Sequence, residues 1–332
     1  MRYVKILLII VVTCIIVYLL GPNPSTPNYV TKMPEVPGIN KLEEFVAAKE
    51  AMHKLRPNNE ARIVWANDTV KQKTAYSIVY LHGFSASQEE GNPVHRNIAK
   101  QFGCNLYLAR LAEHGIDTIE QLLNLTADNY WRSVQEALAI GGQIGNKVIL
   151  MGTSTGGSQA LQLAAAYPDK VAALVLYSPN IAINNPNAWI LNNPWGLQIA
   201  RLVNGSNEII STDDRAIYKQ YWNKPYRLEA TVTLEEMLES TMTEATFKKI
   251  NQPLLLLYYY KDEQHQDEVV KVSAMKQMFT EIASPENIKR AVALPNTENH
   301  VIASPIKSKD VEGVQNETSK FLMEVLHLPA KL

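Results

Sequence analysis

The stretch "ILMGTSTGG", residues 149–157, decides the fold class, because it joins an apolar strand to a small-residue helix through one serine. Gly152, Ser154 and Gly156 match the pattern G-x-S-x-G. In that pattern the serine occupies a sharp strand-to-helix turn, where side chains at the glycine positions would collide with the neighbouring strand and helix. A glycine-rich turn with an incidental serine is the alternative. The apolar strand before the turn and the helix "SQALQLAAAYP" after it favour a nucleophile at Ser154.

Apolar runs that predict strands alternate with helical stretches along the chain. The predicted strands are 76–82, 104–110, 147–153, 171–179, 253–260 and 288–295. Several of them are nearly continuous apolar runs, as strands buried on both faces require. The alternation predicts an α/β protein with a parallel sheet and helices on both faces.

One interval, from Asn180 to Lys249, contains no strong buried strand. It is helical in pattern and contains many Trp and Tyr residues. A buried strand returns at Pro253, so we predict a helical cap at about 180–250 that is inserted into the fold and covers one end of the sheet. A separate small domain that packs alongside is the alternative.

A serine hydroxyl needs a base, because it is a poor nucleophile at neutral pH. His300, in "LPNTENHVI", follows the last predicted strand and is the predicted base. The base needs an acid that fixes its tautomer and stabilises its cation. The segment "YYYKDEQHQDE" supplies acids after a buried strand; Asp262 is nearest the strand end and is preferred, with Asp267 as the alternative.

Attack on a carbonyl group creates an oxyanion, which needs hydrogen-bond donors already in place. Thr155 follows the predicted nucleophile, and its backbone N–H lies at a helix start. The loop in "VYLHGFSAS" follows an early strand, and the N–H of Phe84 is the second predicted donor. The ring of His82 is expected to hold this loop in shape.

Composition excludes several classes of function. The chain of 332 residues has a formal net charge of −1 and no long Lys or Arg run, which argues against nucleic-acid binding. Its two cysteines, Cys14 and Cys104, allow neither a disulfide framework nor a cysteine-based zinc site.

The first residues, "MRYVKILLIIVVTCIIVYLL", predict a transmembrane anchor over residues 1–21. Arg2 and Lys5 precede the apolar run, which places the N-terminus in the cytoplasm and the rest of the chain outside it. A cleaved signal peptide is one alternative, although no A-x-A site follows. A lipoprotein modified at Cys14 is the other. Residues 22–39 are rich in Pro and predict a linker, and 40–332 predict one domain.

The motifs "LHGF", "GTSTGG", "YYYKDE" and "ENHVI" resemble those of the α/β-hydrolase superfamily. The resemblance is greatest to carboxylesterases and monoacylglycerol-lipase-like serine hydrolases, often assigned a serine aminopeptidase S33 domain, and it spans roughly residues 60 to 328. It implies an eight-stranded, mostly parallel sheet with the cap after the sixth strand. It also implies a triad of Ser154, Asp262 and His300, with oxyanion donors at Phe84 and Thr155 and no metal or organic cofactor.

Three functions remain open at this point. The first is hydrolysis of a small-molecule carboxylic ester through an acyl-enzyme. The second is an S33-type peptidase or amidase, which needs groups that recognise a peptide amino terminus; the predicted cap contains acids, at Glu208, Asp213, Asp214 and Glu229. The third is a non-catalytic binding protein that keeps the fold. Many relatives have an apolar residue or Gln where this chain has Thr155, which weakens inference of the substrate from them.

Overall fold

The structure is a computed structural model that describes residues 2–331. Its centre is a mixed sheet of seven strands. In chain order these are β1 (Arg62–Val64), β2 (Thr74–Leu81), β3 (Asn105–Leu108), β4 (Gly145–Thr153), β5 (Val171–Tyr177), β8 (Leu254–Tyr258) and β11 (Lys289–Ala293). The spatial order is β1-β3-β2-β4-β5-β8-β11, and every pair is parallel except β1 with β3. The predicted α/β class with a mostly parallel sheet is confirmed.

The strand count differs from the prediction of eight. Each of the six strands predicted from apolar runs corresponds to a strand of the sheet, and the antiparallel edge strand β1 is additional. β1 is only three residues long and half-buried throughout, so it lacks the continuous apolar run that marks the inner strands. The helical insertion consequently follows the fifth strand of this sheet and not the sixth.

Helices cover both faces of the sheet. They are α2 (Leu42–Glu50), α3 (Val94–Phe102), α4 (Ala127–Ile144), α5 (Thr155–Ala166), α10 (Val272–Glu281) and α11 (Val311–Glu324). Side chains of β2 alternate between two cores: Val79 and Leu81 pack with α4, α5 and α10, whereas Ile78 and Tyr80 pack with α3 and α11. This alternation follows from the two-residue period of a strand and explains why both faces are apolar.

The segment between β5 and β8 holds the residues predicted to form the cap. It contains four helices, α6 (Gly196–Asn204), α7 (Ala216–Tyr221), α8 (Leu228–Thr241) and α9 (Glu244–Phe247). A short antiparallel pair, β6 (Glu208–Ile209) with β7 (Tyr226–Arg227), lies among them. A second small hairpin, β9 (Tyr260–Asp262) with β10 (His265–Gln266), follows β8 directly.

The N-terminal residues form α1 (Arg2–Leu19), whose side chains are all exposed. With a mean hydropathy of 2.3, α1 is long and apolar enough to serve as a membrane anchor or a signal sequence.

The Pro-rich segment after α1 has no helix or strand before Ile39, but part of it is fixed to the domain. The indole N–H of Trp131, on α4, donates to the carbonyl of Val30 at 2.9 Å, and Arg132 donates to the carbonyl of Lys32 at 3.0 Å. Within the predicted linker over residues 22–39, residues 28–32 therefore form an extended strap on α4.

Candidate active site

Ser154 lies at the turn between β4 and α5 with φ 52° and ψ −122°, a conformation that L-residues rarely adopt. The glycines two residues before and two residues after Ser154 have no room for a side chain. A Cβ atom on Gly152 would lie 2.5 Å from the carbonyl oxygen of Gly156, and one on Gly156 would collide with the carbonyl oxygen of Leu81 on β2. α5 therefore approaches the sheet more closely than any side chain would permit. This is the strained strand-turn-helix arrangement that a nucleophile elbow requires.

His300 and Asp267 form a buried pair at the same end of the sheet. His300 Nδ1–H donates to Asp267 Oδ2 at 2.6 Å, and Asp267 is only 1% exposed. The other carboxylate oxygen accepts from the backbone N–H groups of Val269, at 2.9 Å, and Val270, at 3.1 Å. These bonds fix the carboxylate, which in turn fixes the imidazole with its proton on Nδ1 and its Nε2 free to accept a proton.

The charge of Asp267 also sets the basicity of His300. Burial lowers the pKa of the imidazole, but the Asp267 carboxylate and its hydrogen bond outweigh this effect, with a further contribution from Glu90. The net result is a pKa raised above the usual value for histidine. Such an imidazole is a stronger base than one in water.

Asp262 does not contact His300, and its predicted role as the partner of that histidine is wrong. β8 ends at Tyr258, and the following hairpin carries Asp262 away from the sheet to its exposed turn. There its carboxylate accepts from the backbone N–H groups of Gln264 and His265 and from the ring of His265 at 2.8 Å. The hairpin then returns the chain to the sheet, and Asp267, the alternative, takes the position beside His300.

The two predicted oxyanion donors, Phe84 and Thr155, line one cavity together with Ser154 and His300. Within residues 2–331, neither backbone N–H has a hydrogen-bond acceptor. No hydrogen bond joins Ser154 to His300 among the same residues; catalytic hydrogen bonds of this kind often tighten only in the complex with substrate. The structure thus brings together Ser154, His300, Phe84 and Thr155.

Two buried histidines support the loop that carries Phe84. His82 donates through Nδ1 to the Gly83 carbonyl at 2.9 Å and accepts at Nε2 from the backbone N–H of Leu111 at 3.1 Å. His114 accepts at Nε2 from the N–H of Ser85 at 3.0 Å. Burial lowers the pKa of His82 to about 4 and that of His114 well below the usual value, so both rings are neutral braces. No sequence signal distinguished His114 in advance.

Glu90 is a further acidic residue that the sequence did not reveal. Its Oε2 accepts from the backbone N–H of Gly83 at 2.6 Å, and its side chain lines the cavity near Ser154. Burial raises its pKa to about 7, although the bond from Gly83 and the charge of His300 act in the opposite direction. The carboxyl group therefore braces the loop that carries Phe84, and its pKa is close to neutral pH.

The cavity above Ser154 has a volume of about 780 Å³. Its far walls come from the segment between β5 and β8 and are mainly apolar, with contributions from Leu191, Ile199, Val203, Ile209, Leu228 and Leu234. Among residues 2–331, no group of three or more His, Cys, Asp or Glu side chains is arranged to hold a metal ion. The site combines a strained serine, a histidine-aspartate pair, free N–H donors and an apolar pocket.

Solved structures of similar shape have the α/β-hydrolase fold, and this chain has that fold. A structure described with LipS and LipT, two metagenome-derived lipolytic enzymes, superposes with a TM-score of 0.63 at 17% identity, over 81% of this chain and 99% of that chain. The monoacylglycerol lipase of Paleococcus ferrophilus gives 0.57 at 14% identity, over 79% and 98%. Est1E from Butyrivibrio proteoclasticus with bound ferulic acid gives 0.54 at 18% identity, over 81% and 95%.

The family follows from a match to the sequence itself. The model of the family Hydrolase_4, described as "Serine aminopeptidase, S33", matches residues 126–295, just over half of the chain. The chain belongs to this family of hydrolases, in agreement with the resemblance seen in its motifs. A search of curated protein sequences finds no match.

Proposed function

We propose that this protein is a serine hydrolase that cleaves carboxylic esters through an acyl-enzyme, as a carboxylesterase or a monoacylglycerol-lipase-like enzyme. The observation that carries the proposal is the buried bond of 2.6 Å between His300 Nδ1 and Asp267 Oδ2, in the same cavity as a strained Ser154. A histidine that acts as general base becomes a cation during turnover, and a fixed, buried carboxylate beside it stabilises that cation. A histidine without such a role has no need of this partner.

In the proposed reaction, Ser154 Oγ attacks the ester carbonyl carbon while His300 Nε2 accepts the hydroxyl proton. The backbone N–H groups of Phe84 and Thr155 stabilise the oxyanion, and Asp267 stabilises the imidazolium. Collapse of the tetrahedral intermediate breaks the bond to the alcohol, which leaves with the proton from His300. Water then attacks the acyl-enzyme by the same route and releases the acid.

The cavity wall supports an ester more than a peptide with a free amino terminus. Recognition of an ammonium group needs an accessible carboxylate, but none of the four acids noted in the predicted cap lines the cavity. Three of these acids are already paired with basic side chains: Asp213 with Arg215 and Lys307, Asp214 with Lys219, and Glu229 with Arg201 and Arg227. The fourth, Glu208, does not line the cavity. Glu90 is the one carboxyl group among the lining residues, and one of its oxygens is committed to Gly83.

The test compares p-nitrophenyl esters of increasing acyl length with an aminoacyl p-nitroanilide, using the wild type and Ser154→Ala. We expect ester turnover that Ser154→Ala lowers by ~10³-fold or more, with no anilide turnover. A fluorophosphonate probe should label the wild type and not the variant. Retained turnover in Ser154→Ala would refute the nucleophile, anilide cleavage would favour the peptidase, and lack of both labelling and turnover would favour a non-catalytic protein.

We propose further that α1 is an uncleaved anchor with its N-terminus in the cytoplasm and the hydrolase domain on the opposite side of the membrane. Arg2 and Lys5 precede the apolar run, and the next positive residue after it is Lys32. That asymmetry favours retention of the N-terminus on the cytoplasmic side. A cleaved signal sequence or a lipid on Cys14 is the alternative.

A further inference from the structure

Helix α6 packs beside the last turns of α1. The indole N–H of Trp195, the residue before α6, donates to the carbonyl of Val17 at 2.9 Å. The backbone N–H of Trp195 donates to the carbonyl of Pro22 at 3.1 Å. One groove is lined by Thr13, Cys14, Val17 and Tyr18 from α1 and by Trp195, Gln198, Ile199 and Leu202 from the other side.

This contact sets the depth of α6 relative to a membrane that α1 spans. Leu202 shares the groove with Thr13 and Cys14, and Cys14 lies five residues before Leu19, the end of α1. At 1.5 Å per residue, Cys14 and the neighbouring Leu202 lie ~7.5 Å from the C-terminal end of α1, measured along the helix axis towards its N-terminus. Amphipathic helices at membrane interfaces lie roughly 5–10 Å into the boundary between headgroups and acyl chains. The depth of α6 therefore matches that of an interfacial helix.

The side chains of α6 are arranged as an interfacial helix requires. Leu202 and Val203 are both 83% exposed, which is unusual for neighbouring aliphatic residues on one short helix. The single charged side chain of α6, Arg201, turns instead to the domain and binds Glu229 at 2.6 Å. The exposed residues of α6 are consequently uncharged: the aliphatic Ile199, Leu202 and Val203 lie beside the polar Gln198 and Asn204.

The same helix borders the catalytic cavity. Ile199 lines both that cavity and the groove against α1, and Val203 lines the cavity while remaining largely exposed. The rim of the cavity and the exposed aliphatic side chains of α6 are thus continuous.

We propose that the exposed face of α6 docks into the lipid bilayer from which α1 emerges, so that the catalytic cavity opens at the membrane surface. The occupant of this face is the acyl region of a phospholipid leaflet. The substrate, a point that rests on the proposed ester hydrolysis, is an amphipathic ester that enters the cavity from that leaflet. A second copy of the chain or another protein on the same face is the competing occupant.

The first test measures depth directly. Full-length protein with Cys14→Ser is reconstituted into phosphatidylcholine vesicles and spin-labelled at Leu202→Cys or, as a matched exposed apolar position on α11, at Met323→Cys. We expect the label at 202 to be accessible to oxygen and shielded from a water-soluble nickel chelate, and the label at 323 to be open to the chelate. Equal access of the chelate to both labels would overturn the proposal. If the label at 202 is shielded from both oxygen and the nickel chelate, and dilution of the protein in lipid removes this shielding, a second copy of the chain covers the face and the proposal is overturned.

The second test separates docking from chemistry. Leu202→Glu should leave hydrolysis of water-soluble p-nitrophenyl butyrate unchanged and lower hydrolysis of a long-chain ester embedded in the vesicles on the order of tenfold or more, because a carboxylate is expelled from the acyl region. Met323→Glu should alter neither rate. Equal rates of Leu202→Glu and wild type on the embedded ester would overturn the proposal. If the wild type hydrolyses neither ester, the proposed function fails, while the spin-label measurement still decides the docking.

Discussion

His300 gains most of its proposed basicity from one neighbour, Asp267, with a smaller contribution from Glu90. The side chain of His300 is only 9% exposed, and burial alone would lower its pKa and weaken it as a base. Asp267 reverses that effect through a bond of 2.6 Å, and two backbone N–H groups keep the carboxylate in place. Substitution of Asp267 should therefore lower the rate of hydrolysis much more than substitution of another acid in the same segment that does not contact His300.

Asp267→Asn should lower kcat for ester hydrolysis by about 10⁴-fold, because the amide can stabilise neither the correct tautomer nor the imidazolium. Asp262→Asn is the matched control, since Asp262 follows the same strand but binds His265 at the exposed turn. We expect the control to retain nearly full kcat in steady-state assays. The opposite ranking of the two variants would return the role to Asp262.

Glu90→Gln should move the acid limb of the pH profile of kcat/KM to lower pH. Hydrolysis needs neutral His300, so the rate falls as pH drops through the pKa of that group. Glu90, whose own pKa is about 7, helps to raise the pKa of His300 when it is ionised. A neutral amide removes that contribution at every pH, while its oxygen can still accept from Gly83. Profiles from about pH 5 to about 9 test this around the histidine pKa.

Glu89→Gln is the control for this profile, because Glu89 precedes Glu90 and binds Asn92 at 2.8 Å. Its acid limb should match that of the wild type. An unshifted limb in Glu90→Gln would show that Glu90 does not act on His300.

At the scale of elements, glycines determine how closely helices approach the sheet. Gly156 allows α5 to pass over β2, and Gly141 allows α4 to lie against the side chain of Val79. Gly142, the next residue on α4, has open space where a Cβ atom would be. Packing of α4 on the sheet therefore requires glycine at position 141 but not at position 142.

Gly142→Ala should raise the free energy of unfolding by up to about 1 kcal/mol, because alanine restricts the unfolded chain and favours the helix. Gly141→Ala should lower it by about 1–3 kcal/mol, because the new methyl group collides with Val79. Urea unfolding of the detergent-solubilised protein, followed by circular dichroism, measures both. A gain in stability for Gly141→Ala would mean that α4 can shift away from β2.

For the whole molecule, the arrangement of α1, the strap and the domain determines where the cavity above Ser154 lies relative to α1. α1 has no side chain buried in the protein, whereas residues 28–32 are bonded to α4. Removal of α1 should consequently release the domain without damaging it, provided that the strap is kept.

Full-length protein should stay in the membrane fraction after carbonate and high-salt washes, because an apolar span is not screened by salt as surface charges are. A chain that begins at Asn28 should be soluble and active on soluble esters. A chain that begins at Met33 lacks the strap carbonyls of Val30, Thr31 and Lys32, which accept from the side chains of Trp131, Gln135, Tyr167 and Arg132. It should unfold more easily, by about 4 kcal/mol at roughly one per lost bond. A mature N-terminus near Gly21, read by mass spectrometry in a soluble fraction, would replace the anchor by a cleaved signal peptide.

Features that depend on the local order of residues along the chain could be predicted before the structure was known. The five inner strands of the sheet are buried and appear as apolar runs, so they were predictable, and the edge strand β11 was found from a shorter run of the same kind. "GTSTGG" marked the turn at Ser154 because only glycine fits at positions 152 and 156. His300 was identifiable because it follows the last strand.

Which side chains meet at the carboxyl end of the parallel strands could not be predicted, because packing of distant segments brings them together. The choice of Asp267 over Asp262 depends on a hairpin of two short strands whose turn carries one acid into solvent and returns the other to His300. The placement of Glu90 at one cavity with His300 and the contact of α6 with α1 likewise join segments that are distant in sequence, the second pair by about 180 residues. Periodicity and turn signals report the neighbours of a residue along the chain, whereas these contacts arise from packing in three dimensions, which no local pattern encodes.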